Sequence, residues 1–165
     1  MALFWMYDIV LKRLVRFDIA PFNLSYLEEA LECYPFPDGY SLRGKTVIDV
    51  GCDFGTTPIF WRANGASKVI GYEANGSAVS RLGALRRRAP WFEFRGLWKG
   101  EYPEGDVFKM DCEGCEAALD PEKLSKYELW FVALHPQTFG MELKGREVHQ
   151  HEGEKVVRGG RLDVA

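Results

Sequence analysis

Val47-Ile-Asp-Val-Gly-Cys-Asp-Phe-Gly-Thr-Thr57 is the stretch on which the reading of this chain turns. Thr46–Val50 is a short run rich in β-branched residues, the pattern of a buried strand. It gives way to Gly51 and Gly55, and then to Pro58, a residue that suits the first turn of a helix. Thr56 or Thr57 is expected to cap that helix, which runs to Asn64 and stops before Gly65. A strand that passes through a glycine turn into a helix is where open parallel sheets bind ligands, at the carboxyl ends of the strands. Glycines there let the backbone pass close beneath a ligand with no Cβ in the way.

The same rhythm continues downstream. Lys68–Glu73 is predicted as a second strand, Ser77–Arg88 as a helix ended by Pro90, and Trp91–Trp98 as a third strand. Val107–Asp111 is the next strand, followed by a helix at Pro121–Tyr127 behind an Asp120 cap and by the strand Leu129–Leu134. This alternation predicts an α/β fold with a Rossmann-like, doubly wound, mostly parallel sheet. Two strand-like pieces around Gly153 and Gly159-Gly160 predict a closing antiparallel hairpin.

One interval is too short for a crossover helix. Trp98 to Val107 is about nine residues, with a reach of roughly 30 Å when extended. Crossing three strand spacings and returning along one strand needs about 20 Å. A bare loop is therefore expected, with one crossover helix missing. Upstream, residues 1–40 read as a helical lead-in, with Ser25-x-x-Glu28 in the form of a capping box and an apolar pattern that runs to Cys33-Tyr34 before Pro35. The ligand-binding domain is placed at residues 41–165.

Composition sets the outer bounds. A chain of 165 residues, 47% hydrophobic, has the material for one domain with a sizeable core. A net charge of −3 gives no reason to expect nucleic acid or an anionic membrane as the main partner. The basic clusters Lys12, Arg13, Arg16 and Arg86-Arg87-Arg88 read as solvated helix faces or ends. The apolar N-terminus is broken by Asp8 and is too short to span a bilayer, and no cleavage site follows, so a cytoplasmic protein is expected. Cys33, Cys52, Cys112 and Cys115 are expected as reduced thiols. Cys112-x-x-Cys115 lacks the second pair that a zinc site needs, and reads as small apolar filler beside the site.

The polar residues around the turn narrow the ligand. A dinucleotide fold needs a glycine where Asp53 stands, so that the pyrophosphate can approach. An acid at that position repels phosphate and favours a ligand carrying a cationic sulfonium and an amino group, which points to S-adenosylmethionine rather than NAD. The turn residues Gly51, Cys52, Asp53, Gly55 and Thr56 are expected against this cofactor. Glu73 ends the second strand, 24 residues after Asp49, where an acid accepts hydrogen bonds from ribose hydroxyls. Asn75 is expected to cap the next helix. Asp111 should point into the same crevice, and His135, at the end of the following strand, is a candidate general base. His149 and His151 face one side of a strand and, with Asp111 or Glu113, offer metal-binding side chains, but nothing fixes their geometry and no metal is assigned.

Three segments together carry a more specific likeness. Ile48-Asp-Val-Gly-x-x-x-Gly-x-Thr57, Val69-Ile-Gly-Tyr-Glu-Ala-Asn75 and Lys109-Met-Asp-Cys-Glu-Gly-Cys-Glu116 resemble the FkbM-type methyltransferases, over about residues 45–136. The resemblance implies a class I S-adenosylmethionine-dependent enzyme of the O-methylating kind. It places Asp49, Gly51, Gly55 and Glu73 at the cofactor and Asp111, Glu113 and Glu116 at or near methyl transfer. The chain departs from the family in three ways: Ala74 stands in place of proline, Ala133 in place of a glutamate, and the segment between the second and fourth strands is short. No clear acid is left there for the adenine amine, and Trp98 or Leu97 is expected to pack against that ring instead. Phe4 and Trp5 are candidates for a lid.

The expected acceptor is a hydroxyl on a small molecule or glycan. Asp111-Cys-Glu-Gly114 lacks the Pro-Pro-aromatic segment that suits exocyclic amines. The competing expectations are a non-catalytic S-adenosylmethionine-binding or scaffold module and, third, an RNA methyltransferase, for which only the arginine triplet speaks. So small a domain is also expected to be able to borrow a wall of its crevice from a second copy, as a homodimer.

Overall fold

The computed structural model describes residues 3–8, 13–18, 24–151 and 153–161, with side chains described from Glu29 onward. Strands β1 (Leu3–Asp8) and β2 (Arg13–Asp18) pair antiparallel as a separate hairpin, and α1 spans Leu24–Cys33. This corrects the helical lead-in expected for residues 1–40, where among the described residues only Leu24–Cys33 is helical. Leu3-Phe-Trp-Met-Tyr7 and Arg13-Leu-Val-Arg-Phe17 are dense in aromatic and branched residues, which favour a pleated strand. Each run is also too short to make a stable helix alone. The side chains behind the expected lid (Phe4, Trp5), the Lys12, Arg13 and Arg16 cluster and the Ser25–Glu28 box lie outside the described residues.

The main sheet is built from β3 (Thr46–Val50), β4 (Lys68–Tyr72), β5 (Phe92–Phe94), β6 (Val107–Met110), β7 (Leu129–Leu134), β8 (Arg146–His151) and β9 (Glu154–Gly159). Its spatial order is β5-β4-β3-β6-β7-β9-β8. The first five of these neighbours run parallel, and β9 enters antiparallel to both β7 and β8, which is the expected C-terminal hairpin. From β3 the chain steps outward to β4 and β5, then returns to lay β6 on the other side of β3. The strand order therefore reverses between β3 and β6, and a crevice opens at their carboxyl ends.

Alternation along the strands splits the core into two layers. Val47, Val69, Val107, Phe131, Ala133 and Val156 face α1, α2 (Thr56–Ala63) and α3 (Gly76–Arg88), where they meet Cys33, Ile59, Phe60, Trp61, Leu82 and Leu85. Ile48, Val50, Ile70, Phe108, Met110, Trp130 and Val132 face the other way. That second face is roofed by Trp98, Leu119, Leu124 and Tyr127, which come from loops and short 3-10 turns. Between β5 and β6 there is no helix, as the short interval predicted. The segment expected as a helix at Pro121–Tyr127 is instead a 3-10 turn, Pro121–Lys126, with Asp120 Oδ1 accepting from the Glu122 amide.

Candidate functional site

The crevice at the strand reversal is a cavity of about 470 Å3, within the roughly 300–1,000 Å3 typical of small-molecule sites. One half is lined by Gly51, Asp53, Thr56, Thr57, Glu73 and Asn75, and the other by Tyr34, Lys109, Asp111, Glu113, His135 and Glu154. Most of the residues singled out in the sequence are thus brought together.

The glycine turn is held from below. Gly51 has φ +77, and a Cβ built on it would collide with the Asp111 carbonyl. Its amide and that of Cys52 both donate to the Tyr72 carbonyl. Asp53 follows in the left-handed region (φ 46), so its amide turns toward Glu73 Oε2, 2.9 Å away. Glu73 Oε1 accepts from the Ala74 and Asn75 amides at 2.8 Å each. A carboxylate has about four acceptor sites. Three are taken, leaving one on Oε2 for a donor in the cavity. Asn75 caps α3 as expected, its Oδ1 accepting from the Ser77 amide.

Asp49 occupies a different place from the one expected. It is wholly buried and does not line the cavity. Its Oδ2 accepts from the Thr57 hydroxyl at 2.7 Å and from Trp61 Nε1 at 3.1 Å, while Oδ1 faces the Lys109 ammonium at 3.3 Å. Asp49 ties β3 to α2 and positions the turn; it does not reach a ligand itself. Cys52 is also absent from the lining, because its side chain is fully buried in the helix-side core. Gly55 acts as the left-handed N-cap of α2. Trp98 and Leu97 lie away from the cavity. With no crossover helix, the chain leaving β5 runs across the opposite face, where Trp98 packs against Tyr102 and donates to the Glu101 carbonyl.

Lys109 is the residue that sequence reasoning passed over, although a charge inside the strand Val107-Phe-Lys-Met110 was a signal. Only 1% of its side chain is exposed. The ammonium donates to the Gly51 carbonyl at 2.6 Å and lies between Asp49 and Asp111, 3.3 and 3.8 Å away. Burial pulls its pKa down, but the two carboxylates outweigh burial and hold the amine above its ordinary value, so it stays charged. Tyr34, at the end of the α1 segment, donates to Asp111 Oδ2 at 2.6 Å. Burial, reinforced by that carboxylate, keeps the phenol well above its usual range, and it remains a donor.

The second half of the crevice is organised around Glu116 and His135. Glu116 is fully buried; its carboxylate accepts from the Cys112 and Gly114 amides and contacts His135 Nδ1 at 3.1 Å. With Nδ1 donating to that carboxylate, the lone pair on Nε2 is directed into the crevice. There it lies 3.7 Å from Asp111 Oδ1 and 3.8 Å from Glu154 Oε2. Glu154, at the start of β9, had no signal in the sequence; the antiparallel pairing of β7 and β9 carries it to His135. Burial, helped by Asp111, pushes its carboxyl above the ordinary range. Glu113 lines the rim in the left-handed region, φ 55. His149 and His151 stand apart from this group, on β8.

Cys112 and Cys115 form a disulfide, which corrects their reading as reduced filler. The left-handed turn at Glu113 and Gly114 folds the segment so that their Cα atoms are 5.6 Å apart, within the bridging range. Cys33 and Cys52 are free and buried. Burial, with Glu154 and neighbouring acids, pushes the Cys33 thiol up to about 12, and burial drives Cys52 well above its normal value. Iodoacetamide at pH 8 should therefore leave the native chain unmodified. Unfolding without reductant should expose two alkylation sites and unfolding with reductant four, counted by intact mass.

The fold matches that of Rossmann-like methyltransferases. A dimethyladenosine transferase from Plasmodium falciparum superposes with a TM-score of 0.60 at 12% identity, covering 82% of this chain and 61% of that one. TrmK from M. capricolum, in complex with S-adenosylhomocysteine, gives 0.51 at 11% identity, over 81% and 66%. No family model matches the chain. It is 35% identical over 120 residues to uncharacterized protein 158B of Sulfolobus islandicus rod-shaped virus 1, covering 64% of this chain and 73% of that protein. The chain belongs to the family of that viral protein. Among the described residues no helix is long and apolar enough to cross a membrane.

Proposed function

We propose that this protein is an S-adenosylmethionine-dependent methyltransferase that methylates a hydroxyl group on a small molecule or glycan, in the manner of the FkbM-type enzymes its motifs resemble. The observation that carries the reading is the pairing of two unlike halves in one crevice. The glycine turn and Glu73, with one acceptor site left free, suit an adenosyl ribose. Asp53, on the same wall, suits a cationic ligand. Across the crevice stand Asp111 and an imidazole whose Nε2 lone pair faces inward. In this reading the methyl carbon is held between the cofactor sulfur and the acceptor oxygen for in-line displacement. The rate then comes mainly from positioning and from removing the hydroxyl proton to His135 Nε2. Asp111 orients the hydroxyl, and Tyr34 and Lys109 hold the Asp111 carboxylate in place.

Calorimetry with S-adenosylhomocysteine tests the cofactor half. Wild-type protein should bind one equivalent, and Glu73→Gln should bind about 10- to 100-fold more weakly, as expected for losing a hydrogen bond to a charged acceptor. An analogue lacking the ribose hydroxyls should bind both proteins equally. Failure of the wild type to bind would overturn the assignment. Turnover on a panel of hydroxylated acceptors, read as S-adenosylhomocysteine release, separates an enzyme from a non-catalytic binding module.

A further inference from the structure

We propose that Asp111, His135 and Glu154 form a binding site for one divalent transition-metal ion at the acceptor end of the crevice. One atom from each side chain lies within 4.8 Å of the other two. Nε2 of His135 is 3.7 Å from Asp111 Oδ1 and 3.8 Å from Glu154 Oε2. Ligand atoms around a tetrahedral ion at its usual N and O distances are about 3.4 Å apart, so the two separations from His135 need to close by only a few tenths of an ångström.

Two further features favour an ion over a fortuitous cluster. Two of the three side chains are oriented from behind. Glu116, fully buried, holds His135 by Nδ1 and leaves Nε2 to the ion, the carboxylate–histidine–metal arrangement. Tyr34 holds Asp111 by Oδ2, so that Oδ1 faces the trio. The charge is also unbalanced. The crevice is lined by Glu29, Asp53, Glu73, Asp111, Glu113 and Glu154, against Lys109, which is shared with the buried Asp49. A monocationic cofactor leaves most of that negative charge unmatched. A nitrogen with two carboxylates suits Mn2+, Fe2+ or Zn2+ better than Mg2+ or Ca2+, which prefer all-oxygen sets.

The consequence for the reaction rests on the methyltransferase reading, and it replaces the proton-accepting part given to His135. With the ion bound, the Nε2 lone pair is a ligand. The acceptor hydroxyl takes an open position on the ion, its proton is lost to solvent because the ion lowers its pKa, and the resulting oxygen attacks the methyl carbon as the carbon–sulfur bond breaks. A vicinal diol or hydroxy acid, able to give the ion two oxygens, is the acceptor class this site favours.

Titration of the purified, cofactor-free protein with Mn2+ alone, followed by electron paramagnetic resonance, tests the site apart from any methyl transfer. One ion per chain is expected, with nitrogen coupling from one imidazole. Glu154→Gln should weaken binding at least tenfold, and His135→Gln should remove the nitrogen coupling. Glu116→Gln, which leaves the three ligands in place, should weaken it roughly 10- to 100-fold. His151→Ala, on β8 outside the trio, should change nothing. Absence of stoichiometric binding, unchanged affinity in Glu154→Gln, or loss of binding in His151→Ala would each overturn the site. S-adenosylhomocysteine binding by the same wild-type sample shows separately whether the cofactor reading stands.

Discussion

Substituting alanine for Gly51 should eliminate measurable S-adenosylhomocysteine binding and lower the stability of the chain by several kcal/mol. Two separate physical effects act at this position. The backbone is at φ +77, a conformation that costs an L-residue roughly 1–2 kcal/mol. The added Cβ would also fall on the Asp111 carbonyl, where neither partner can yield, since each directly follows one of two paired parallel strands. Separation of β3 from β6 at this end moves the turn away from Glu73 and displaces Asp111 together with its Tyr34 and Lys109 contacts. Gly39 supplies the control. Its φ is also +77, yet nothing lies within 4 Å of a Cβ built there, so Gly39→Ala should show the dihedral cost alone and leave binding intact. Chemical denaturation and calorimetry on the two variants would separate collision from strain. Equal effects at the two sites would refute the close-approach argument.

Lys109→Met should be the most destabilising substitution on the polar side of the site. Removing one partner from a buried ionic cluster typically costs about 3–5 kcal/mol, because the remaining charge is left uncompensated. Here the ammonium serves both Asp49 and Asp111 and also caps the Gly51 carbonyl. The effect should depend on pH in a defined sense. Burial pushes the Asp49 carboxyl upward, and Lys109 is the main counterweight. Without the lysine, the folded-state pKa of Asp49 lies further above its unfolded value, so the stability it contributes is fully present below the unfolded pKa and is lost as pH rises through the folded pKa. The deficit of Lys109→Met should therefore be small in acid, below about pH 4, and grow toward neutrality. Adding Asp49→Asn should recover a large part of it at pH 7. Denaturant unfolding of the single and double variants across pH checks both statements; a deficit independent of pH would refute the ion-cluster account.

Much of the fold was legible because periodicity and glycine placement act locally. The run Thr46–Val50, the turn at Gly51 and the position of Glu73 each report their own surroundings, and the reach of a nine-residue segment was enough to predict the absent helix. What escaped were facts set by strand register and by depth. Asp49 and Glu73 look alike in the sequence as acids at strand ends. Yet alternation sends Asp49 beneath α2 while Glu73 lies beyond the last paired residue of β4 and reaches the turn. Trp98 was placed by nearness in the chain, whereas the direct crossing put it on the far face. Glu154 reached His135 only through antiparallel pairing across a connection of 19 residues, for which no short-range pattern exists. The hairpin at residues 3–18 shows the same limit: an apolar run with no strict period fits either a helix or a strand.

The sheet face roofed by loops and 3-10 turns has a bearing on how such a chain can change. Every group assigned here to the cofactor or acceptor belongs to strand ends and turns over the helix-covered layer, or to the short segment after β6. The connection from residue 95 to 106, by contrast, crosses the opposite face and contributes no side chain to the crevice lining, touching it only where the Gly96 carbonyl accepts from the Glu73 amide. Doubling the length of such a connection costs only about 0.6 kcal/mol in closure entropy. An insertion beyond Gly96, up to a full crossover helix, is accordingly a nearly neutral step that leaves the crevice lining in place. The two faces are thus free to evolve on separate schedules, one constrained residue by residue and the other open to gain or loss of whole elements.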